Sequence, residues 1–484
     1  MLKGEKKIFF FKKLKKTPKM YNSNLIQLFK NLDRNDRRQL RKFVRSPFFN
    51  SREDVIALFD YIDKNLDTGG APKMAKEKAF SYIYKKQSFD VDLFYYPMSN
   101  LTQLILKYLA INELENDTPQ YNHFLNKALR HRGADKIYDK TLSDAKKHIE
   151  KQPLRNSQYH FQNYRIRSEE FEARHRLKRS GDFELQEMTN DFHFFTIAEI
   201  LRLAYGLAAH QSIAKKEYYQ PLLVSVLKIA EQHLEIPAVA AHFYAFKAQS
   251  GEDTEGVYFQ KLKYEIIRNA SIFTETELHD LLTIAINFCI RRQNTGELAY
   301  VKETLLLYQW GFNNKILLDN GVMSPYNYKN AQLLAIKIED FDWAEKFLND
   351  FKPFLPEKER ENIYNYNLAI FHFRKNNYKT AMMLLQQVNL KETLFNLDAR
   401  RLLARIYFDV KEMTALESHI ESSKVYLHRQ KDIGYQKEMY SNFFKFLEKV
   451  LKLNNSHEEK QKLHDEISET KLVAEKDWLL QQAK

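Results

Sequence analysis

An all-α fold, an α-solenoid of antiparallel helix pairs, is predicted by two features of this 484-residue sequence. Glycine and proline are scarce, at 12 and 11 residues, well below their usual shares of about 7% and 5%. Strand-rich folds need such residues at turns every ~8–12 positions, so their scarcity points to long helices with short connections. The second feature is a repeat within residues 340–407. Phe341 precedes Ala344 by three residues and Leu348 follows it by four; Tyr378, Ala381 and Leu385 repeat that spacing further on. Positions i−3, i and i+4 share one helix face, so the alanine lets two helices approach while its neighbours fill the seam. A pair of this kind buries its apolar face only by stacking on other pairs.

The 44% apolar and 14% aromatic content suffices for a core and excludes global disorder. The single cysteine, Cys289, permits neither an intramolecular disulfide nor a cysteine zinc site. Its place in the apolar stretch 281–292 reads as core, and a cytoplasmic, reducing location fits. No apolar run approaches the ~18 residues of a membrane span. The net charge of +13 is uneven: residues 1–19 hold eight lysines and one glutamate. The apolar block in this head, residues 8–11, is too short for an export signal. The head reads as a basic disordered arm or as untranslated sequence with Met20 the true start. The second is preferred, because lysine-rich tails without aromatic spacing carry little specificity.

Residues 20–118 read as a separate N-terminal helical domain. Helices are predicted over 31–45, capped by Asp33 or Asn35, then from Asn50 with Glu53 completing a capping box, then over 76–85 and 99–114. Gly69-Gly70-Ala71-Pro72 reads as a loop and Pro119 as a joint. Residues 119–322 read as an irregular helical-repeat region. It has one long helix over 154–179, an apolar helix over 191–209, and shorter ones over 221–233, 237–249, 255–269, 277–292 and 296–309. Prolines in first turns and short breaks make these antiparallel neighbours. Residues 311–326 are the longest irregular stretch. Residues 323–430 hold the clearest repeats. Residues 431–484 read as two capping helices, 434–453 and 456–482, whose mixture of Glu and Lys suits a polar outer face.

The 340–407 pattern resembles the tetratricopeptide repeat. Phe341-Asp342-Trp343-Ala344, Tyr366-Asn367-Leu368-Ala369, Asp398-Ala399-Arg400-Arg401-Leu402-Leu403 and Tyr440-Ser441-Asn442-Phe443 further resemble a family of uncharacterised bacterial tetratricopeptide-type proteins. Ser46-Pro47-Phe48-Phe49-Asn50 and Asp477-Trp478-Leu479-Leu480 extend the likeness toward both ends. The resemblance implies no activity or substrate. The sequence departs from the repeat at Asn376, where a glycine is usual, and at Leu416, where a small residue is expected.

No catalytic, cofactor-binding or metal site is predicted, and the protein reads as non-enzymatic. Gly251 and Gly256 have phosphate-loop spacing, but Val257-Tyr258 follow instead of the Lys and Ser/Thr the chemistry needs. His457-Glu458-Glu459-Lys460-Gln461 ends in a poor zinc ligand. Glu172 and His175 lack the second Glu-x-x-His pair of a di-metal site.

In the resembling repeat the first helix of each pair lines a groove. On that register the first repeat contributes Lys329, Asn330 and Lys337, the second Tyr366, Asn367 and Arg374, and the third Arg401 and Arg405. Asparagine can hydrogen-bond a peptide backbone, and Lys or Arg can hold a carboxylate. Arg401 and Arg405, one turn apart, can converge on a single carboxylate that Arg374 also approaches. The leading expectation is therefore a scaffold binding a protein or peptide partner, an acidic or C-terminal segment, in this groove. The alternative is a nucleic-acid binder using the basic head and the 174–179 cluster. The plainer reading of that cluster is cations matched to a helix C-terminus. A nucleic-acid complex should weaken steeply with salt, a peptide complex less so.

Overall fold

The computed structural model describes residues 20–175, 183–214, 216–388, 390, 392–430, 433–453 and 456–484, with the side chains of 68–73 and 212–214 left out. The described residues form 23 α-helices, three short 3-10 turns and one two-strand hairpin, so the fold is all-α. Two compact units divide the chain. One comprises residues up to Lys151 together with Arg165–Leu185; the other comprises Gln152–Tyr164 and Gln186–Lys484.

In the first unit the helices are α1 (Asn24–Asn31), α2 (Arg34–Arg45), α3 (Glu53–Lys73), α4 (Lys76–Ile83), α5 (Val91–Asn116), α6 (Thr118–His131) and α7 (Asp135–Lys151). Local side chains start four of them. Ser23 accepts from the Ile26 amide, Asp33 and Asp36 form a reciprocal capping box, Asp90 caps α5 and Asp117 caps α6. Met20, Phe29, Leu40, Phe59, Phe80 and Ile105 are fully buried in one core. On the outer side Arg37, Arg41 and Arg45, spaced one turn apart on α2, pair with Asp67, Asp63 and Asp60 of α3.

Three expectations for this unit are corrected. The stretch 69–72 is not a loop, because α3 continues through it to Lys73. Glycine costs a helix only about 1 kcal/mol, and a proline in the last turn removes a single backbone bond. Asn50 and Glu53 form no capping box; Asn50 instead binds the Val44 carbonyl and the Arg52 amide, bracing the turn after α2. Finally α5 begins at Val91 and tolerates Pro97 in its second turn.

Helix α8 (Ser157–Arg174) starts in the second unit and ends in the first; it begins later than the 154 expected, and the 176–179 end of that expectation lies outside the described residues. In the second unit follow α9 (Leu185–Ala214) and α10 (Leu223–Ala230). Then come five consecutive pairs: α11 (Pro237–Gln249) with α12 (Val257–Arg268), α13 (Glu275–Asn294) with α14 (Ala299–Asn313), α15 (Pro325–Lys337) with α16 (Phe341–Phe351), α17 (Arg360–Arg374) with α18 (Tyr378–Gln387), and α19 (Thr393–Asp409) with α20 (Met413–Arg429). Each helix packs on its partner, and α15, α17, α19 and α21 (Tyr435–Leu451) pack one on the next. Helices α22 (His457–Glu469) and α23 (Lys476–Gln482) close the chain.

The turn inside four of these pairs has one construction. Gly296, Glu339, Asn376 and Lys411 all take positive φ, at 95°, 63°, 59° and 63°. In each, the next residue's amide bonds a carbonyl five positions back: Glu297 to Arg292, Asp340 to Ala335, Asn377 to His372 and Glu412 to Tyr407. This is the left-handed helix stop that glycine usually serves. Only the first turn uses glycine; the others carry the strain of a side chain in that region.

Ala344, Leu348, Ala381 and Leu385 are buried in the main core, and Phe341 and Tyr378 pack against it. Leu416 is fully buried too, in a second core with Phe443, Phe444, Leu447 and Leu479. Cys289 is buried, and burial pushes its thiol up to about 12. Gly256 takes positive φ as it starts α12, which accounts for a glycine there without any phosphate. Ala381→Trp should lower the denaturation midpoint, since overpacking a closed helix contact typically costs ~1–3 kcal/mol. An unchanged urea midpoint would contradict the burial of Ala381.

Two further expectations are corrected here, for 311–326 and for 456–482. The stretch 311–326 contains the end of α14 and a hairpin pairing Leu318–Asp319 with Val322–Met323. One helix, over Leu185–Gln211, is by length and composition long and apolar enough to cross a membrane. Its charged residues are few and scattered, so no unbroken apolar run announced it. Within its unit it buries Ile197, Leu201 and Tyr205 and ties Asp191 to His160 at 2.8 Å. Lastly, the helix expected over 456–482 is broken between α22 and α23. The Asn442 side chain binds the Leu472 carbonyl, the Ala474 amide binds the Met439 carbonyl, and Glu475 takes a left-handed φ of 52°. The break turns Trp478 and Leu479 into the core of α21.

Candidate functional site

Four helices, α15, α17, α19 and α21, bring polar residues to one carboxylate, Asp398 in the second turn of α19. Lys329 from α15 forms an ion pair with it, and Arg401, one turn along α19, binds it at 3.3 Å. The Tyr366 hydroxyl from α17 donates to it at 3.2 Å, and that of Tyr440 from α21 at 2.6 Å. The carboxyl is 15% exposed. Burial alone would raise its pKa, but Arg401 and Lys329 outweigh burial and hold it well below the usual carboxylate range. Burial and the neighbouring Asp398 charge push both tyrosine hydroxyls well up, so they remain donors.

A second carboxylate joins this cluster from far along the chain. Glu475, at the start of α23, pairs with Arg401 and accepts from Arg405 Nη1 at 2.7 Å. The Arg405 guanidinium also lies 5.0 Å from the Phe373 ring and 5.3 Å from that of Trp478. For Arg401, burial opposes the charge, while Asp398 and Glu475 more than offset it.

The predicted groove residues thus divide. Lys329, Tyr366, Arg401 and Arg405 come together, but bonded to the chain's own acids rather than open to a partner. The convergence of Arg401 and Arg405 on one carboxylate is present, and the carboxylate is Glu475. Arg374 is exposed, makes no ion pair among the described residues, and lies within electrostatic range of Glu475, Arg405 and Arg401. Lys337 is exposed and apart from the cluster. Two placements are corrected. Asn367 is fully buried, its side chain donating to the Ile363 carbonyl, and its own carbonyl accepts from Gln332. Asn330 faces the Tyr308 hydroxyl on α14. Asn367 is enclosed because α17 packs on both α15 and α19, and Asn330 is turned to α14 because α15 packs on that helix.

Sequence reading did not assign roles to Tyr440 and Glu475. Tyr440 lay within a motif already noted; nothing local marks Glu475. Of the 174–179 cluster, Arg174 pairs with Glu170 at 2.7 Å, and residues 176–179 lie outside the described residues, as does the head. Among the described residues no group of three or more His, Cys, Asp or Glu side chains could hold a metal ion. No family model, no curated protein and no solved structure matches the chain.

Proposed function

We propose that this chain is a non-enzymatic helical-repeat scaffold, a tetratricopeptide-like α-solenoid of the bacterial type it resembles, which binds a carboxylate-bearing polypeptide segment along its first helices. The observation that carries this reading is the pairing of Arg401 and Arg405 with Glu475. Two arginines on one part of the chain already hold a carboxylate, Glu475, from another, with Trp478 seated beside it. The recurring left-handed turns and the packing of α15, α17, α19 and α21 in succession support the solenoid. Arg374 and Lys337 are the cations left open to a partner's acids. A cytoplasmic, reducing location suits a lone buried thiol.

The test uses the full chain carrying Glu475→Lys, which sets like charges against Arg401 and Arg405. A labelled peptide with the sequence of residues 470–484 should bind this variant at least tenfold more tightly than wild type, since charge-assisted bonds contribute about 1.5–3 kcal/mol each. Its affinity should fall only gently with salt. A folded variant that fails to bind the peptide would sink the reading.

A further inference from the structure

One cation beside this network, Arg400, pairs with no acid among the described residues. Arg400 points to the other side of α19, into a cavity of about 360 Å³ lined by residues of α18, α19 and α20. Lys329, Arg401 and Arg405 each have a carboxylate within bonding distance. Arg400 has none. Its Nε donates to the Asn396 side chain at 2.9 Å, one Nη makes a long 3.4 Å bond to Ser423, and the guanidinium lies 4.6 Å from the Tyr426 ring. These contacts orient the planar fork, and none of them, among the described residues, is to a carboxylate.

His419 lines the same cavity. Its Nε2 donates to the Arg400 carbonyl at 2.9 Å, so in the neutral ring Nδ1 is the bare nitrogen. Burial lowers the pKa of both Arg400 and His419, and no carboxylate compensates either. A guanidinium partly removed from water without a counter-charge is costly, and an anion would repay that cost. The remaining wall is mixed: Leu385, Val388 and Leu403 are apolar, while Gln386 and Ser422 are polar. The space exceeds a bare oxyanion and falls in the range of small-molecule sites.

We infer that the cavity between α18, α19 and α20 binds a small organic molecule through a phosphate or carboxylate headgroup held by the Arg400 fork beside His419. The site is separate from the Asp398 network and stands or falls independently of the scaffold reading.

Phenyl phosphate is the probe, with inorganic phosphate and benzoate as comparison arms at constant ionic strength. Calorimetric titration of the full chain should show saturable binding of phenyl phosphate, tighter than inorganic phosphate. Benzoate against phenyl phosphate decides which headgroup the site prefers. Arg400→Gln should weaken binding at least tenfold, the loss expected for a charge-assisted pair. Histidine NMR titration should show the His419 pKa rising when the probe is bound, because the anion offsets the Arg400 charge. Should Arg400→Gln fail to fold, the His419 titration in wild type decides alone. No saturable binding, equal affinity in folded Arg400→Gln, or a His419 titration unmoved by saturating probe would each overturn the inference.

Discussion

Asp398→Ala should destabilise the second unit by about 3–5 kcal/mol, the cost of breaking a buried ion pair from one side. The substitution strands Lys329, leaves Arg401 with Glu475 alone, and removes the acceptor of the Tyr366 and Tyr440 hydroxyls at once. Four helices lose a common tie, so the urea midpoint should fall and the slope should change if α21 detaches first. Asp398→Asn, which keeps an acceptor but not the charge, should cost less. The pH dependence has a definite sign. A folded-state pKa held below the unfolded value contributes stability that is fully present above the unfolded value, ~4, and is lost as pH falls below it. The gap between wild type and Asp398→Ala should therefore narrow below pH ~4. A gap that is constant from pH 7 to pH 3 would show that the carboxylate charge contributes nothing.

The double variant Arg401→Ala with Arg405→Ala should lose about 2–4 kcal/mol and free the C-terminal segment. The sequence places the pair in a partner-binding groove; the structure ties it to the chain's own Glu475 and Asp398. Both guanidiniums are mostly buried, at 17% and 21% side-chain exposure, and removing them leaves Glu475 and half of the Asp398 network without a counter-charge. Trp478 would also lose the Arg405 guanidinium from its face. Its fluorescence should shift to the red as α23 loosens, while helix content falls by little more than that short helix. Unchanged Trp478 emission and an unchanged midpoint together would show that the two arginines hold nothing in place.

The helices and their buried faces were open to reading because their causes are local. Ala344, Ala381 and their flanking aromatics sit on faces set by the 3.6-residue period, and caps such as Asp33 or Ser456 act within three residues. The one-turn spacing of Arg401 and Arg405 was likewise readable from helix geometry, and their place on a first helix from the resemblance. What pairs with them was not, because Glu475 lies 70 or more residues away and belongs to a stretch whose periodicity continues a helix. That helix breaks only because α21 supplies bonding partners for residues 472 and 474. The left-handed turns at Glu339 and Lys411 show the same limit. Glycine is the local sign of such a turn, and where packing of the paired helices imposes it on another residue, no sign remains in the chain. Periodicity and capping are properties of neighbours in sequence and can be read there. Charge pairing, helix breaks and forced turns are settled by neighbours in space, whose contacts outweigh the one or two kcal/mol of local preference opposing them.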